Sequence, residues 1–295
     1  MLDDDTFTLI NPQNGNLAFK LATFDNKWQF SDIQRLNYFS LIWITKGKGT
    51  VTADFSENPF EAGSLFAFSP YQPFMLTAED NLEGIILNFH PEFFCIYKHQ
   101  AEISCNGILF NNIFKPPYVA VDEVSKGTFE MVIHQIKSEM HNPELAQYEL
   151  LVSYLKIFLI TATRLKNQQQ PDTDIVEAAV NKEPYILQNL KNYIELHFKT
   201  KHSASDYAEM LHITPKALAK ITKNHFNKTL TVLISERIII EAKRELYLSN
   251  KAVKEIAYEL GYEDEHYFSR FFKNNAAVSP QMYRDTVGFA RAMST

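Results

Sequence analysis

Residues 203–284 read SASDYAEMLHITPKALAKITKNHFNKTLTVLISERIIIEAKRELYLSNKAVKEIAYELGYEDEHYFSRFFKNNAAVSPQMYR, and one pattern occurs in them twice. A short amphipathic helix ends at Leu211, a tight turn follows, and a second helix starts at Thr214-Pro215. Later a short helix ends at Leu260, Gly261 makes the turn, and a second helix starts near Asp264. Each half has its own local physics. Ser205 is expected to cap a helix over residues 206–211, with Tyr207, Ala208 and Leu211 facing inward. Thr214 is a good N-cap, and Pro215 fits the first helical position, where its missing N–H would be unsatisfied anyway. Leu218, Ile221 and Phe226 then face inward, leaving Lys216, Ala217, Ala219, Lys220, Lys223 and Asn224 outside. In the second half Val253, Ile256, Ala257 and Leu260 recur at helical spacing, and Gly261 suits a left-handed helix end. Asp264 caps a helix that is expected to bury Tyr267, Phe268, Phe271 and Phe272. Glu265, His266, Ser269, Arg270 and Lys273 remain outside.

Between the halves, residues 230–248 read as one long helix with Val232, Leu233, Ile234, Ile238, Ile239, Ala242, Leu246 and Leu248 as apolar positions. Nineteen residues, at about 1.5 Å each, make a rod of roughly 28 Å. Two helix-turn-helices on such a rod present two recognition helices, and successive major grooves on one face of DNA lie about 34 Å apart. On this pattern Lys216, Ala219, Lys220, Glu265, His266, Ser269 and Arg270 are the candidates for base edges, and Lys223, Lys273 and Arg284 for phosphates.

The stretch resembles the DNA-binding domain of AraC/XylS-type bacterial transcription regulators. The residues that carry the resemblance are Ala208, Leu211, Ile213, Leu218, the run RIIIEAKREL over 237–246, Ile256-Ala257, Leu260-Gly261-Tyr262, the run YFSRFFK over 267–273, Ser279-Pro280 and Tyr283-Arg284. Lys220 stands where the family usually has Arg, Asn227 and Ala277 where it usually has Gly, and Ala252 where a capping Ser or Thr is usual. An Ala held in left-handed backbone costs on the order of 1 kcal/mol.

The rest of the chain suits that reading. A length of 295 residues predicts two domains. Residues 185–295 hold 16 Lys and Arg against 12 Asp and Glu, whereas residues 1–184 hold 13 against 23. A weakly basic segment beside an acidic one fits a nucleic-acid module carried by a domain that does not touch DNA. Cys95 and Cys105 make no disulfide framework, the opening MLDDDTFTL has no basic signal-peptide region, and the apolar runs are too short to span a bilayer. A cytoplasmic protein is expected.

Residues 38–94 carry short strands separated by turn signals. A hairpin is expected around the turn at 46–49, with further turns at Asn58-Pro59 and Ala62-Gly63, then strands in GSLFAFSP and GIILNF. The expected fold is α+β: an antiparallel β-barrel with following helices over residues 1–166 (strands about 17–90, helices about 124–166), a polar linker over 167–183, and a helical domain over 184–295 with helix-turn-helices near 203–226 and 252–275. The hairpin followed by GSLFAFSPYQP resembles the cupin-like effector domain of the same regulators. Metal cupins carry a His-x-His cluster, but no His lies between Met1 and Phe89, and Phe74 stands near where such regulators often carry a His. His90, Glu92, Cys95, His99 and Cys105 match no ligand motif, so no metal and no cofactor is expected. His90 is read as a local hydrogen-bonding group and Cys95 as core.

The aromatic set of Phe24, Trp28, Phe30, Tyr38, Phe39, Trp43, Phe55, Phe60, Phe66, Phe68, Tyr71 and Phe74 reads first as a packed core. It reads second as the lining of a pocket for an apolar or aromatic effector, with Arg35, Tyr38, Trp43, Tyr71 and Gln72 as polar anchors. Two helices are expected over 124–140 and 143–166, the second capped by Asn142. Its stripe of Leu145, Tyr148, Leu151, Val152, Leu155, Phe158 and Leu159 has two readings. The resemblance implies a homodimer seam through Tyr148, Leu151, Leu155 and Phe158. Burial against Phe129, Val132, Ile133 and Ile136 is the plainer account. The partners implied are double-stranded DNA across two adjacent major grooves, a small effector, a second copy of the chain, and RNA polymerase. A metal-dependent cupin enzyme and an effector-independent DNA-binding scaffold are the alternatives; no nucleophile elbow, P-loop or dinucleotide motif supports the former.

Overall fold

The computed structural model describes residues 6–12, 15–25, 30–53, 56–169 and 182–287. Trp28 and Phe55 lie outside them, as does most of the expected linker; residues 167–169 close one helix and Lys182 opens the next. Contacts divide the chain into two compact units, Met1–Asn112 with Pro116–Gln169, and Gln170–Thr295 with Ile113–Lys115.

The first unit is built on two antiparallel sheets. Strands β1 (Thr6–Ile10), β2 (Leu17–Phe24), β3 (Phe39–Lys46), β6 (Ser64–Phe68), β8 (Glu83–Phe89) and β9 (Tyr118–Ala120) form a six-stranded sheet in the order β1-β2-β8-β3-β6-β9. Strands β4 (Gly49–Ala53), β5 (Ser56–Phe60) and β7 (Phe74–Ala78) form a second, in the order β5-β4-β7. The expected closed barrel is therefore two sheets over a shared core. The expected hairpin is also absent: β3 pairs with β6 and β8, while β4 pairs with β5 and β7. The chain changes sheet at Gly47 (φ +96°), where a Cβ would lie 2.5 Å from the Asn81 carbonyl oxygen, too close for any side chain. Asn58-Pro59 is not a turn but part of β5, an edge strand, where proline is tolerated.

The six-stranded sheet is buried on both faces. On one, Phe39, Leu41, Trp43, Leu87 and Phe89 meet the helices α2 (Glu123–His141) and α3 (Gln147–Gln169). Phe129 stands edge-on to Trp43 at 5.8 Å and stacks on Phe158 at 4.3 Å. On the other, Phe24, Ile42, Ile44, Phe66, Phe68 and Ile86 meet Val51, Phe60, Phe74 and Leu76 of the small sheet. Helix α3 begins four residues later than expected, because Ala146 takes a left-handed φ of 64° that no helix continues through. Leu145 drops out of the apolar stripe and is 99% exposed. A four-residue helix α1 (Gln100–Ile103) precedes this pair.

The second unit holds α4 (Lys182–His197), α5 (Ala204–Met210), α6 (Pro215–Phe226), α7 (Leu230–Leu248), α8 (Val253–Glu259), α9 (Glu265–Ala276) and α10 (Pro280–Val287). Helix α7 has the bounds its apolar pattern predicts. The first cap is Ser203 rather than Ser205; its hydroxyl accepts from Asp206 N while the Asp206 carboxylate accepts from Ser203 N, a reciprocal box. Thr214, Thr229 and Asp264 cap α6, α7 and α9. At α8, Ala252 contributes no side-chain acceptor, and Glu255 reaches back to the Ala252 N–H at 2.7 Å, so half of a capping box survives. Helices α6 and α9 both end on left-handed residues, Asn227 at φ 52° and Ala277 at φ 63°.

Two stability outcomes follow. Ala277→Gly removes the left-handed strain and stabilises the helical unit by about 1 kcal/mol, read as a higher urea midpoint in far-UV circular dichroism; an unchanged or lower midpoint would show that residue 277 carries no strain. Phe129→Ala costs the first unit about 3–5 kcal/mol, read from tryptophan fluorescence, since Trp28 and Trp43 both lie in that part of the sequence.

Candidate nucleic-acid interface

Helix α6 turns Leu218 and Thr222 inward and leaves Lys216, Ala219, Lys220 and Lys223 exposed. Lys216 and Lys220, one turn apart, form no ion pair among the described residues. Lys223 reaches its own helix end and donates to the Asn227 carbonyl at 3.4 Å. No acidic side chain lies on the helix, so its outer face is purely cationic.

Helix α9 is different. Its cap, Asp264, accepts from His266 N at 2.6 Å and Tyr267 N at 3.2 Å. The bond from Tyr267, then that from His266, holds its carboxyl below the usual carboxylate range. Phe268, Phe272 and Ala276 face inward at intervals of four. His266, Arg270 and Lys273 are exposed, and Glu265 and Ser269 are half-buried. Tyr267 was expected inside but is 59% exposed, because it falls one position off that stripe; its ring packs 5.9 Å from Tyr262 and leaves the outer face available to the hydroxyl. The alternation of three and four in the aromatic run made this residue ambiguous in the sequence.

Arg284 is a correction to the phosphate set. Its Nε donates to the Leu246 carbonyl at 3.2 Å and its Nη2 to the Lys251 carbonyl at 2.7 Å. The guanidinium ties α10 to the end of α7, a structural role. Lys251 likewise sits between Glu245 at 2.9 Å and Glu259 at 2.6 Å, and these two hydrogen bonds raise its pKa.

Of the five expected effector anchors, Tyr71 and Gln72 lie on a segment beside that of Arg35, since Tyr71 N donates to the Leu36 carbonyl at 2.7 Å, while Trp43 is set apart. Arg35 is exposed, Tyr38 is half-buried, and Tyr71 is buried with a left-handed φ of 56°. Burial raises the Tyr38 hydroxyl pKa. Gln72 accepts from Ser69 N at 3.0 Å. Trp43 points at the helices, on the face of the sheet opposite the inter-sheet space, so it cannot line that space. The polar groups that do face it were missed. Register places Lys20, Asn88, Ser40 and Phe68 in one row across β2, β8, β3 and β6. Ser40 and Asn88 are buried, and Ser40 Oγ and Asn88 Oδ1 have no hydrogen-bond partner. The signal was available: a polar residue inside each of two otherwise apolar strands.

Three of the four expected dimer-seam residues are core. Leu151, Leu155 and Phe158 are at most 2% exposed, packed within their own unit. Tyr148 is 46% exposed, and its hydroxyl donates to the Phe93 carbonyl at 2.5 Å. The other exposed apolar side chains of the pair are Val124, Met131, Leu150 and Ile157. Among the described residues, no three of His, Cys, Asp and Glu gather into a group that can hold a metal ion. His90 accepts from Glu92 N at 3.3 Å, His99 stacks on Phe94, and burial pushes the Cys105 thiol up to about 12. None of the described helices is long and apolar enough to cross a membrane.

Residues 207–286 match a family model described as a helix-turn-helix domain. The chain is 27% identical over 250 residues to the HTH-type transcriptional activator Btr of Bacillus subtilis, covering 82% of this chain and 43% of Btr. It is 23% identical to the HTH-type transcriptional activator RhaR of Cronobacter sakazakii, over 85% of this chain and 86% of RhaR. Among solved structures, the C-terminal domain of AraT from Geobacillus stearothermophilus is 28% identical, over 37% of this chain and 91% of that domain, with a TM-score of 0.36. The chain spans less than half the length of Btr. With two helix-turn-helices flanking one long helix and the model match running across both, residues 207–286 form a helix-turn-helix domain, and the chain is similar to transcriptional activators of the helix-turn-helix type.

Proposed function

We propose that this protein is a sequence-specific DNA-binding transcription regulator. The observation that carries the reading is the pair of outward faces, on α6 and α9, in two motifs that precede and follow the 19-residue helix α7 and both pack on it. Lys216, Ala219 and Lys220 on α6, and Glu265, His266, Ser269 and Arg270 on α9, read base edges. Lys223 and Lys273 hold phosphates. The first unit is a cupin-like sensor. Ser40 and Asn88 supply polar anchors in a space otherwise lined by Phe24, Phe66, Phe68 and Phe74, which suits an apolar or aromatic effector with one hydrogen-bonding group. A second copy docks through Met131, Leu150 and Ile157, which are among the apolar side chains that α2 and α3 leave uncovered. The protein acts in the cytoplasm beside its operator, and contact with RNA polymerase completes the reading.

One observation favours a second reading, in which the sheets serve only as a dimerisation scaffold. Phe68 and Phe74 stack at 4.0 Å with a 1° interplanar angle, filling the space next to Ser40. A change in operator affinity with effector separates the two.

Selection of bound fragments from genomic DNA recovers two half-sites about 10 base pairs apart; fragments without a shared motif would sink the regulator reading. On the recovered site, Lys223→Ala weakens binding to every sequence alike and lowers the salt slope of log affinity by about 1. Glu265→Gln instead relaxes the preference at one base pair, worth about 1–3 kcal/mol. Ile157→Glu halves the particle mass in sedimentation if the seam lies on the outer face of α3.

A further inference from the structure

Helix α7 is not the only connection between the two helix-turn-helices. The loop over residues 199–202, which leads from α4 into α5, lies against the turn between α8 and α9. Gly261, in that turn, has φ +82°, and a Cβ there would overlap the Lys199 carbonyl oxygen and approach His202 Cε1 to 3.2 Å. The His202 ring packs on Tyr262 with centroids 5.2 Å apart. Tyr262, 8% exposed, in turn touches Phe268 at 5.2 Å and Phe271 at 5.3 Å, both on α9. At its other end the loop is fixed to the first motif. The Tyr207 hydroxyl donates to the Lys201 carbonyl at 3.1 Å, and Ser203 begins the capping box of α5. The loop and the end of α4 before it are also held along α7: Arg237 pairs with Glu195 at 2.8 Å and covers Phe198 at 4.0 Å, and Lys199 of the loop lies 3.9 Å from Glu241. His202 Nε2 is buried with no hydrogen-bond partner. Its ring is held by shape and stacking, at the expense of that nitrogen.

We propose that His202 is a positioning residue: through Tyr262 it locks the angle between the two readers, so that the protein accepts its half-sites at one spacing only. This rests on the DNA-binding reading above. A single helical rod of about 28 Å bends and twists. A rod braced at a second point does not. One extra base pair between half-sites displaces the second by about 3.4 Å and turns it by about 35° around the DNA axis. A braced pair of readers cannot follow that displacement, and then loses the whole gain from engaging both sites together, which is on the order of 100-fold. Without the brace, flexing of α7 recovers much of it.

The test uses the full chain, with the selected operator, the same operator carrying one or two inserted base pairs, and a duplex with the first half-site alone. Wild type is expected to lose about 100-fold on a one-base-pair insertion, falling to its half-site affinity. His202→Ala keeps its half-site affinity, which shows α6 is intact, but loses less than about 10-fold on the insertion. His202→Phe, which restores a ring against Tyr262 without the buried nitrogen, restores the strict spacing. The proposal is overturned if wild type tolerates the insertion, or if His202→Ala binds the half-site and suffers the full wild-type loss. Should His202→Ala fail to bind the half-site, His202→Phe decides alone: relaxed spacing in that folded variant sinks the proposal. Absence of binding by wild type to any duplex is a different result, since it removes the DNA-binding reading and this inference with it.

Discussion

The helical unit depends on the enclosure of α7. Leu230, Leu233, Ile234, Ile238, Ile239, Ala242, Leu246 and Tyr247 are buried, and they fall around most of the helix circumference. A helix apolar on so many sides has to be covered on all of them. The remaining helices supply the cover, with α4, α6, α8, α9 and α10 all packing on α7 or on one another. The second helix of each motif is therefore seated both on α7 and on its own short partner helix. Helices of seven residues, such as α5 and α8, are too short to persist alone. Charged residues inside this enclosure are matched: Glu241, nearly buried, accepts from Arg237 at 3.1 Å and Arg244 at 2.8 Å. Removing both arginines would leave that carboxylate with only Lys199, 3.9 Å away, to compensate it in a desolvated place, which is worse than never having buried it.

The first unit solves the opposite problem. Its six-stranded sheet is covered on both faces, so β3 from Phe39 to Ile44 reads as an apolar run broken only at Ser40, with no polar side to mark orientation. Register then decides which side chain meets which core. Odd positions of β3 (Phe39, Leu41, Trp43) face the helices and even ones (Ser40, Ile42, Ile44) face the small sheet. The polar pair at Ser40 and Asn88 is the exception within this arrangement, and a buried polar atom left without a partner is unfavourable by about 1–3 kcal/mol.

These two arrangements explain what the sequence disclosed. The helical unit was legible because its signals are local: Thr214-Pro215, Asp264 and the spacing of Ile256, Ala257 and Leu260 each fix an element within a few residues. The long helix was legible to its ends, since Thr229 caps one and the polar Ser249-Asn250 closes the other. The first unit was less legible because its pairings are not local. The segment 46–49 has the composition of a hairpin turn, yet β3 and β4 enter different sheets, and only the tight approach of Asn81 to Gly47 reveals it. The same holds for α3. Its stripe is the same whether a partner copy or α2 covers it, and Phe129 and Ile136 turn out to be the cover. Arg284 misled for a third reason: nothing in a sequence distinguishes an arginine bound to two carbonyls from one offered to solvent.

Within the proposed reading, the two readers are unequal, and charge says how. The face of α6 presents Lys216, Lys220 and Lys223 with no acid beside them, so it attracts any phosphate backbone. The leading edge of α9 carries Glu263, Asp264 and Glu265 before its first cation at Arg270. Asp264 is committed to the helix N-terminus, where two N–H groups neutralise part of its charge. The other two carboxylates remain, and near phosphates they are repulsive. A surface of this kind adds little to non-specific affinity. It is tolerated only where an acceptor is wanted, as against a cytosine amino group, and any other base leaves the Glu265 carboxylate desolvated and unpaired. Affinity thus comes mainly from the first helix-turn-helix and discrimination from the second. That division requires the second reader to be held in place by something other than its own attraction to DNA, and its seating on α7, with Tyr262 beneath α9, meets the requirement.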